Sequence, residues 1–231
     1  MSLEIHHAHR DVNGGWLRPA VFGAADGLVS NFALMAGVAG GSDNSSTVVL
    51  AGLAGLAAGA FSMAAGEYTS VATQAELAEA EIETERRELR ERPLAEQHEL
   101  GEMLAARGVE SELAHEVAAQ LSVDPESALE IHVLAELGVT TDGAPSPYVA
   151  AGSSFLAFAA GAVLPVLPYF FGATALWPAA ICAIIGLFGL GAISSRVTSR
   201  PWWYSGLRQL ILGSAAAAVT FLVGSAVGTQ V

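Results

Sequence analysis

Five long apolar segments constrain the fold of this chain more than any other feature of its sequence. Each is close to the roughly 20 residues that a helix needs to cross the hydrocarbon core of a bilayer. The hydrophobic share of 52% and the mean hydropathy of +0.47 are typical of membrane proteins. We predict spans at residues 17–41, 47–70, 149–171, 177–195 and 206–230. The predicted fold class is therefore an all-α polytopic membrane protein with five transmembrane helices.

The arginines predict an orientation for these spans. All 10 basic residues are arginine, and they lie before or at the start of the first span, between the second and third, and between the fourth and fifth or at the start of the fifth. These regions are predicted to be cytoplasmic, because short positively charged loops stay inside. Residues 1–16 would form a cytoplasmic tail, and residues 1–15 lack the pattern of a secretory signal, so the first span should remain in the mature chain. The lack of lysine beside abundant alanine and arginine favours a bacterial plasma membrane.

A polar insertion at residues 71–147 is predicted to form a small cytoplasmic helical domain between spans two and three. It follows the first two spans, at 17–70, and precedes the last three, at 148–231. Its first helix continues span two without a break. That helix should end at Arg92, because Pro93 removes a backbone donor and clashes with the preceding turn.

Cap residues predict the remaining helices of this insertion. The second should run from residue 93 to 107, and the third should start after Ser111 as its N-cap. The fourth should begin at Asp124, where a cap is followed by proline in the first turn, and close at Gly138.

Acidic residues are concentrated in the insertion. Of the 23 acids, 17 lie between Glu76 and Glu136, a region with five arginines, and the net charge of the chain is -13. Nucleic acid is excluded as a partner, because proteins hold it mainly through Lys and Arg contacts to phosphate. Cationic partners are favoured instead. The single cysteine, Cys182, allows neither an internal disulfide nor a CxxC metal site.

Two ExxE pairs predict a place where carboxylates share a cation. Glu85 with Glu88, and Glu96 with Glu99, each lie on one helix face on either side of the Pro93 break. His132 and Glu136, one turn apart on the last helix, would complete an oxygen-rich site with a nitrogen ligand. The alternative is a solvated face with Glu-Arg pairing. The excess of acids over arginines counts against it, since unpartnered carboxylates repel one another.

The remaining histidines give weaker signals. Glu112 and His115 form an ExxH, but helical di-iron sites use two such motifs, so a surface helix with a chance histidine is favoured. His98 is a candidate accessory ligand. Three histidines near the start form a polar tail that would scavenge metal only weakly. They are His6, His7 and His9.

Polar residues at membrane depth predict an ion path. A carboxylate there is costly unless it faces a cavity, a partner or a proton. Asp26 lies in the first span, and Met63 and Glu67 share one face of the second. A thioether beside carboxylates suits a borderline transition metal. The alternatives are a capping role for Asp26, packing for Met63 and an interfacial, snorkelling position for Glu67.

Glycines and prolines predict how the spans pack. Three GxxxG segments allow close helix contact, either within one chain or between two copies. They are residues 37–41, 55–59 and 224–228. Pro165 and Pro168 are expected to kink the third span.

At these residues the chain resembles the vacuolar iron transporters, a family of membrane proteins that move ferrous iron and related divalent metals out of the cytosol in exchange for protons. The resemblance extends over nearly the whole chain. The stretches that carry it are Asp26-Gly-Leu-Val29, Asn31-Phe-Ala-Leu34, Ser62-Met-Ala-Ala-Gly-Glu-Tyr-Thr-Ser70, the two ExxE pairs, Leu134-Ala-Glu-Leu-Gly138, Pro145-Ser-Pro147, Gly161-Ala-Val-Leu-Pro165 and the last glycine-rich span with Arg208.

The resemblance implies a five-span subunit that forms a homodimer, with the ion path along the first spans at the subunit interface. Asp26 and Met63 would line that path, and Glu67 would lie near its cytoplasmic entrance. The cargo would be Fe²⁺, with Mn²⁺, Co²⁺ or Zn²⁺ as related ions, and no prosthetic cofactor is expected.

The resemblance also implies the ligand positions of the cytoplasmic domain. They fall on five glutamates of this chain, Glu85, Glu88, Glu96, Glu99 and Glu136. Where some members carry two methionines before the last glutamate, this chain has His132 and Val133. Two alternatives to a transporter stay open, a membrane-anchored di-iron oxidase and a metal-binding sensor, although we predict that the protein is not an enzyme.

Overall fold

The computed structural model describes residues 15–138, 145–196 and 200–228. Within these ranges the chain is helical and contains no strand, as the sequence predicts. The helices are α1 Leu17–Gly41, α2 Ser45–Glu91, α3 Pro93–Ala106, α4 Ser111–Leu121, α5 Pro125–His132, α6 Pro147–Val163, α7 Leu167–Phe170, α8 Trp177–Ser194 and α9 Trp202–Gly228, with a π-helical turn, Val133–Leu137, directly after α5. The N-terminal histidines lie outside the described residues.

The chain divides into two compact units. The first, called here the membrane unit, comprises Met1–Thr69 and Ser146–Val231, and the second, called the acidic unit, is Ser70–Pro145. Helix α2 has 47 residues and contributes to both units without interruption.

Four helices are long and apolar enough to cross a membrane. They are α1, α2, α8 and α9. The third predicted span is not one long helix, because α6 has 17 residues and α7 only four. Pro165 and Pro168 account for the interruption, since neither has an amide N–H to donate to the preceding turn. A fifth crossing therefore remains a prediction.

Helix α1 is the centre of the membrane unit and packs against α6, α8 and α9. The contact with α6 depends on glycines: a Cβ built at Gly27 would collide with the Phe158 carbonyl, and one at Gly161 with the Ala24 carbonyl. Small residues of this kind let two helix backbones approach closely in lipid. Beside this contact, Leu28 and Leu187 form part of a buried apolar cluster between α1 and α8.

All three GxxxG segments have packing roles within the chain. Gly37 and Gly41 of α1 face Gly224 and Gly228 of α9. In the remaining segment, residues 55–59, Gly59 packs against the ring of Phe158. Of the two uses that the sequence left open, the structure shows packing within one chain for these glycines.

The acidic unit begins and ends its helices at the residues that capping chemistry favours. Pro93 is the first residue of α3, and Arg92 alone separates it from the end of α2 at Glu91. The Asp124 carboxylate caps α5 by accepting hydrogen bonds from the Ser127 amide, at 3.3 Å, and hydroxyl, at 2.6 Å. Gly138 adopts a φ of 66° after the π-helical turn, a conformation that favours glycine.

The predicted cap of the third helix was wrong by one residue. Ser111 is the first residue of α4, and Glu110 is its N-cap. The Glu110 carboxylate accepts a hydrogen bond of 3.3 Å from the Leu113 amide, three residues into the helix. A negative side chain here also interacts favourably with the positive end of the helix dipole.

Candidate metal centre

Three of the predicted ligands meet in the acidic unit. Glu85 comes from the last part of α2, His132 ends α5 and Glu136 lies in the π-helical turn. The Nδ1 atom of His132 is 3.1 Å from the Glu85 carboxylate and 3.3 Å from the Glu136 carboxylate. One potential ligand atom from each side chain lies within 4.8 Å of the other two. This group is called the Glu85 centre below.

Burial holds the Glu85 centre in place. His132 is fully buried and Glu85 is only 7% exposed. Leu129 and Val133, on either side of His132 in the chain, are also buried, so the helix that carries the imidazole is anchored by apolar contacts. A charged or polar group in such a place needs a partner, because its desolvation is otherwise uncompensated.

The surrounding carboxylates make the centre strongly attractive to cations. Burial and the negative charge of Glu136 raise the pKa of Glu85 to about 7, against the opposing effect of His132. Burial and the charge of Glu99 likewise raise the pKa of Glu96. Such shifts mean that this cluster cannot hold all its negative charge without a proton or a metal ion.

The other members of the two ExxE pairs lie outside this closest group. Glu88 and Glu96 contribute repulsion at Glu85. Among the described residues of this cluster, only Glu85, His132 and Glu136 have potential ligand atoms that all lie within 4.8 Å of one another.

Two buried polar atoms of the centre make no hydrogen bond among the described residues. They are Nε2 of His132 and Oε1 of Glu85, and of the two only Oε1 has an ionisable neighbour, Nδ1 of His132 at 3.1 Å. Leaving an atom such as Nε2 unsatisfied costs about 1–3 kcal/mol. A cation bound beside Glu85 would satisfy the oxygen and replace the proton that a neutral Glu85 carries.

A second group of potential ligands lies elsewhere in the acidic unit. It consists of His98 and Glu102 on α3 and His115 on α4. Sequence reasoning treated His98 and His115 separately and missed Glu102. The signal for Glu102 was its position four residues after His98, which puts both side chains on one helix face.

The residues predicted for the membrane path lie on α1 and α2 of the membrane unit. Glu67 forms an ion pair of 3.7 Å with Arg18, a partner that the sequence had suggested only as a flanking charge. Met63 packs against the buried cluster of Ala60, Phe158 and Ala162. Asp26 is half-buried, and its backbone carbonyl accepts a hydrogen bond of 2.6 Å from the Ser30 hydroxyl. Among the described residues, no hydrogen bond or ion pair joins Asp26, Met63 and Glu67 to one another.

Helices that can cross a membrane and a buried carboxylate–imidazole group define a multi-pass membrane protein with a candidate site for divalent metal ions. A family model described as the VIT family matches residues 17–225. The chain belongs to the vacuolar iron transporter family. The names of its relatives support a role in metal transport.

The similarity to named proteins extends over most of the chain. It is 31% identical to vacuolar iron transporter 1 of Oryza sativa subsp. japonica over 231 residues, which cover 97% of this chain and 92% of that protein. It is 31% identical to vacuolar iron transporter 1 of Arabidopsis thaliana over 98% of this chain and 92% of the relative. A vacuolar iron transporter of Acanthamoeba castellanii is 40% identical over 66% of this chain and 55% of its own length.

Proposed function

We propose that this protein moves Fe²⁺ and related divalent transition metals out of the cytosol in exchange for protons. The Glu85 centre is the observation that carries the proposal. Two carboxylates and an imidazole suit Fe²⁺, Co²⁺ or Zn²⁺ better than Mg²⁺ or Ca²⁺, which prefer oxygen ligands alone. The names of the relatives, which specify iron, support Fe²⁺ as the cargo.

The acidic unit would act as a cytoplasmic domain that collects the metal. Exposed acids on α2 precede the Glu85 centre, among them Glu76, Glu79 and Glu81. Their summed field raises the local concentration of cations without direct ligation. Glu88, Glu96 and Glu99 would then complete the coordination when the ion arrives, because the centre itself supplies only three side chains.

The membrane path would run along α1 and α2, with Asp26 and Met63 lining it and Glu67 at its cytoplasmic entrance. The Arg18–Glu67 ion pair supports this position, since an incoming cation would compete with the arginine for the carboxylate. Metal ligation requires ionised carboxylates, so an arriving ion displaces protons and returning protons release it. The full assembly would have α6 as the third of five crossings, would be a homodimer, and would lie in the plasma membrane of a bacterium.

Flux into proteoliposomes tests this function. We expect Fe²⁺ supplied on the cytoplasmic face to enter and the internal pH to rise as protons leave. Asp26→Asn should abolish both signals, because the amide can neither give up a proton nor supply a charged ligand. Asp43→Asn, at an exposed acid between α1 and α2, is the matched control and should transport normally.

The same experiment separates the alternatives. Metal binding without Asp26-dependent flux would contradict the transporter and leave a binding or sensor module. A di-iron oxidase would instead consume oxygen when Fe²⁺ is added to the protein in detergent, and it would do so without a sealed vesicle.

A further inference from the structure

We infer that His98, Glu102 and His115 form a second metal site, which takes one borderline divalent transition metal of the Zn²⁺, Co²⁺ or Fe²⁺ type. The site lies within the acidic unit and shares no ligand with the Glu85 centre. The inference does not rest on transport, because a metal bound here can be measured whether or not the protein moves any ion.

The spacing of the three potential ligand atoms matches a tetrahedral metal site. Nε2 of His115 is 3.1 Å from Nδ1 of His98 and 3.4 Å from Oε1 of Glu102. Two nitrogen ligands each about 2.0 Å from a tetrahedral zinc ion would be about 3.3 Å apart. An ion therefore fits among these atoms with little movement of the side chains.

A hydrogen bond to the other nitrogen of His115 orients its ring for ligation. Nδ1 of His115 is 2.8 Å from the Ser111 carbonyl, which can only accept, so Nδ1 must carry the proton. In neutral His115, Nε2 then presents a lone pair toward His98 and Glu102. This arrangement is the one that metal-binding histidines usually show, with the distal N–H donated to a carbonyl.

The approach of His115 to Glu102 also calls for a cation. A lone pair and a carboxylate oxygen at 3.4 Å repel each other unless a positive charge lies between them or the imidazole is protonated. Gly101 leaves room for the ring, because a Cβ there would lie 2.7 Å from Cδ2 of His115. A surface pair of tilted rings, with centroids 4.9 Å apart and an interplanar angle of 35°, is the alternative that the test must exclude.

The chemistry of the three ligands predicts selectivity. Two imidazoles and one carboxylate favour Zn²⁺, Co²⁺ and Fe²⁺, whereas Mg²⁺ and Ca²⁺ prefer oxygen. With three protein ligands and exposed His98 and Glu102 side chains, a fourth position stays open to water. Such a site exchanges its ion with solution more readily than one closed by four side chains.

Equilibrium dialysis of the full chain in detergent against Zn²⁺, with excess Mg²⁺, tests the site. His6, His7 and His9 are replaced by glutamine in every protein compared, which removes binding by the tail. We expect His98→Ala and His115→Ala each to lose one bound Zn²⁺ per chain. Glu112→Gln, on the same helix as His115 but outside the group, should lose none. Equal Zn²⁺ content in all these proteins would overturn the proposal.

Chemical modification of the otherwise unaltered protein guards against variants that misfold. Diethylpyrocarbonate modifies free imidazole nitrogens, and mass spectrometry locates the modified residues. Zn²⁺ should protect His98 and His115 together, over the same concentration range. If Zn²⁺ leaves their modification unchanged, the two residues do not share a metal and the inference fails.

Discussion

Single side chains decide where this protein can hold a cation. At the Glu85 centre, burial and neighbouring negative charge leave Glu85 close to its point of half-protonation near neutral pH, with a pKa of about 7. Other acids on the same helix, such as Glu79, are exposed to solvent and are not buried as Glu85 is. A metal ion bound at Glu85, as we propose, would therefore compete with a proton at physiological pH.

Metal binding at the Glu85 centre is expected to weaken as the pH falls through 7. The sign follows from the raised pKa: below it Glu85 is protonated and the metal must displace that proton, whereas above it the carboxylate is already ionised. One displaced proton lowers the affinity by up to about tenfold per pH unit. Calorimetric titration with Zn²⁺ between about pH 8 and about pH 6 measures the slope.

Two glutamine substitutions assign that slope to its residue. Glu85→Gln should reduce the affinity and flatten the pH dependence, because its amide has no proton to lose in this range. Glu79→Gln, on an exposed face of the same helix, should bind and titrate like the parent. An unchanged slope in Glu85→Gln would show that another group, for instance Glu136 or Glu96, controls the binding.

At the scale of helices, glycine contacts set the fold of the membrane unit. Gly161 of α6 lies against the backbone of α1, whereas Gly152 on the same helix has no other atom within 4 Å of a built Cβ. The two positions therefore differ in packing while sharing one helix and one residue type. They allow the α1–α6 contact to be tested separately from helix propensity.

Gly161→Val is expected to destabilise the protein, since its side chain would force α1 and α6 apart. Overpacking of this kind costs about 1–3 kcal/mol, which lowers the unfolding midpoint by about 2–4 °C per kcal/mol in a chain of this size. Thermal unfolding in detergent measures the effect. Gly152→Val should leave the midpoint close to that of the parent, and an equal loss in both variants would contradict the packing argument.

Local chemistry made some elements predictable and long-range contacts made others unpredictable. The end of α2 before Pro93, the Asp124 cap and the stop at Gly138 all depend on nearby residues, and the structure confirms them. Glu110 as a cap depends on a side-chain reach that sequence spacing does not show. Spacing places Glu102 on one helix face with His98, but its contact with His115 depends on the packing of α3 against α4.

The site shows the same division. The sequence suggested Glu85, His132 and Glu136 as ligands, and the fold brings them together. It also suggested Glu88 and Glu96, whose charges raise the pKa of Glu85, and Glu99, whose charge raises that of Glu96. Which carboxylates make direct contact depends on the relative rotation of α2, α3 and α5, and that rotation is fixed by packing rather than by spacing along the chain.

At the scale of the whole molecule, the exposed face of α2 is the place to look for a second copy. The most apolar stretch of α2 is 17% buried and that of α9 is 11% buried, against 44% for α1. Leu50, Leu53 and Phe61 are exposed on α2. Because the GxxxG glycines pack within the chain and α2 is predicted to carry part of the ion path, we expect a homodimer to form through these larger side chains.

Cysteine cross-linking tests this arrangement. In a Cys182→Ser background, single cysteines at Leu50, Leu53 or Phe61 are expected to form covalent dimers under mild oxidation in membranes. Ile185→Cys on α8 is the matched control, because Ile185 is 67% exposed and Leu50 is 68% exposed. Gel electrophoresis without reducing agent gives the result. Dimers formed through residue 185 and not through α2 would move the interface to another helix.

If α6 is the third crossing, as we propose, the interruption after it makes the protein sensitive to the thickness of its bilayer. A helix of 17 residues rises about 26 Å, a few ångströms less than the roughly 30 Å of a typical hydrocarbon core. Pro165 and Val166, where the helix breaks, are fully buried among protein side chains, so the backbone at the break is shielded from lipid. Shorter acyl chains would match α6 with less distortion, whereas thicker membranes would have to thin around it or strain the buried break.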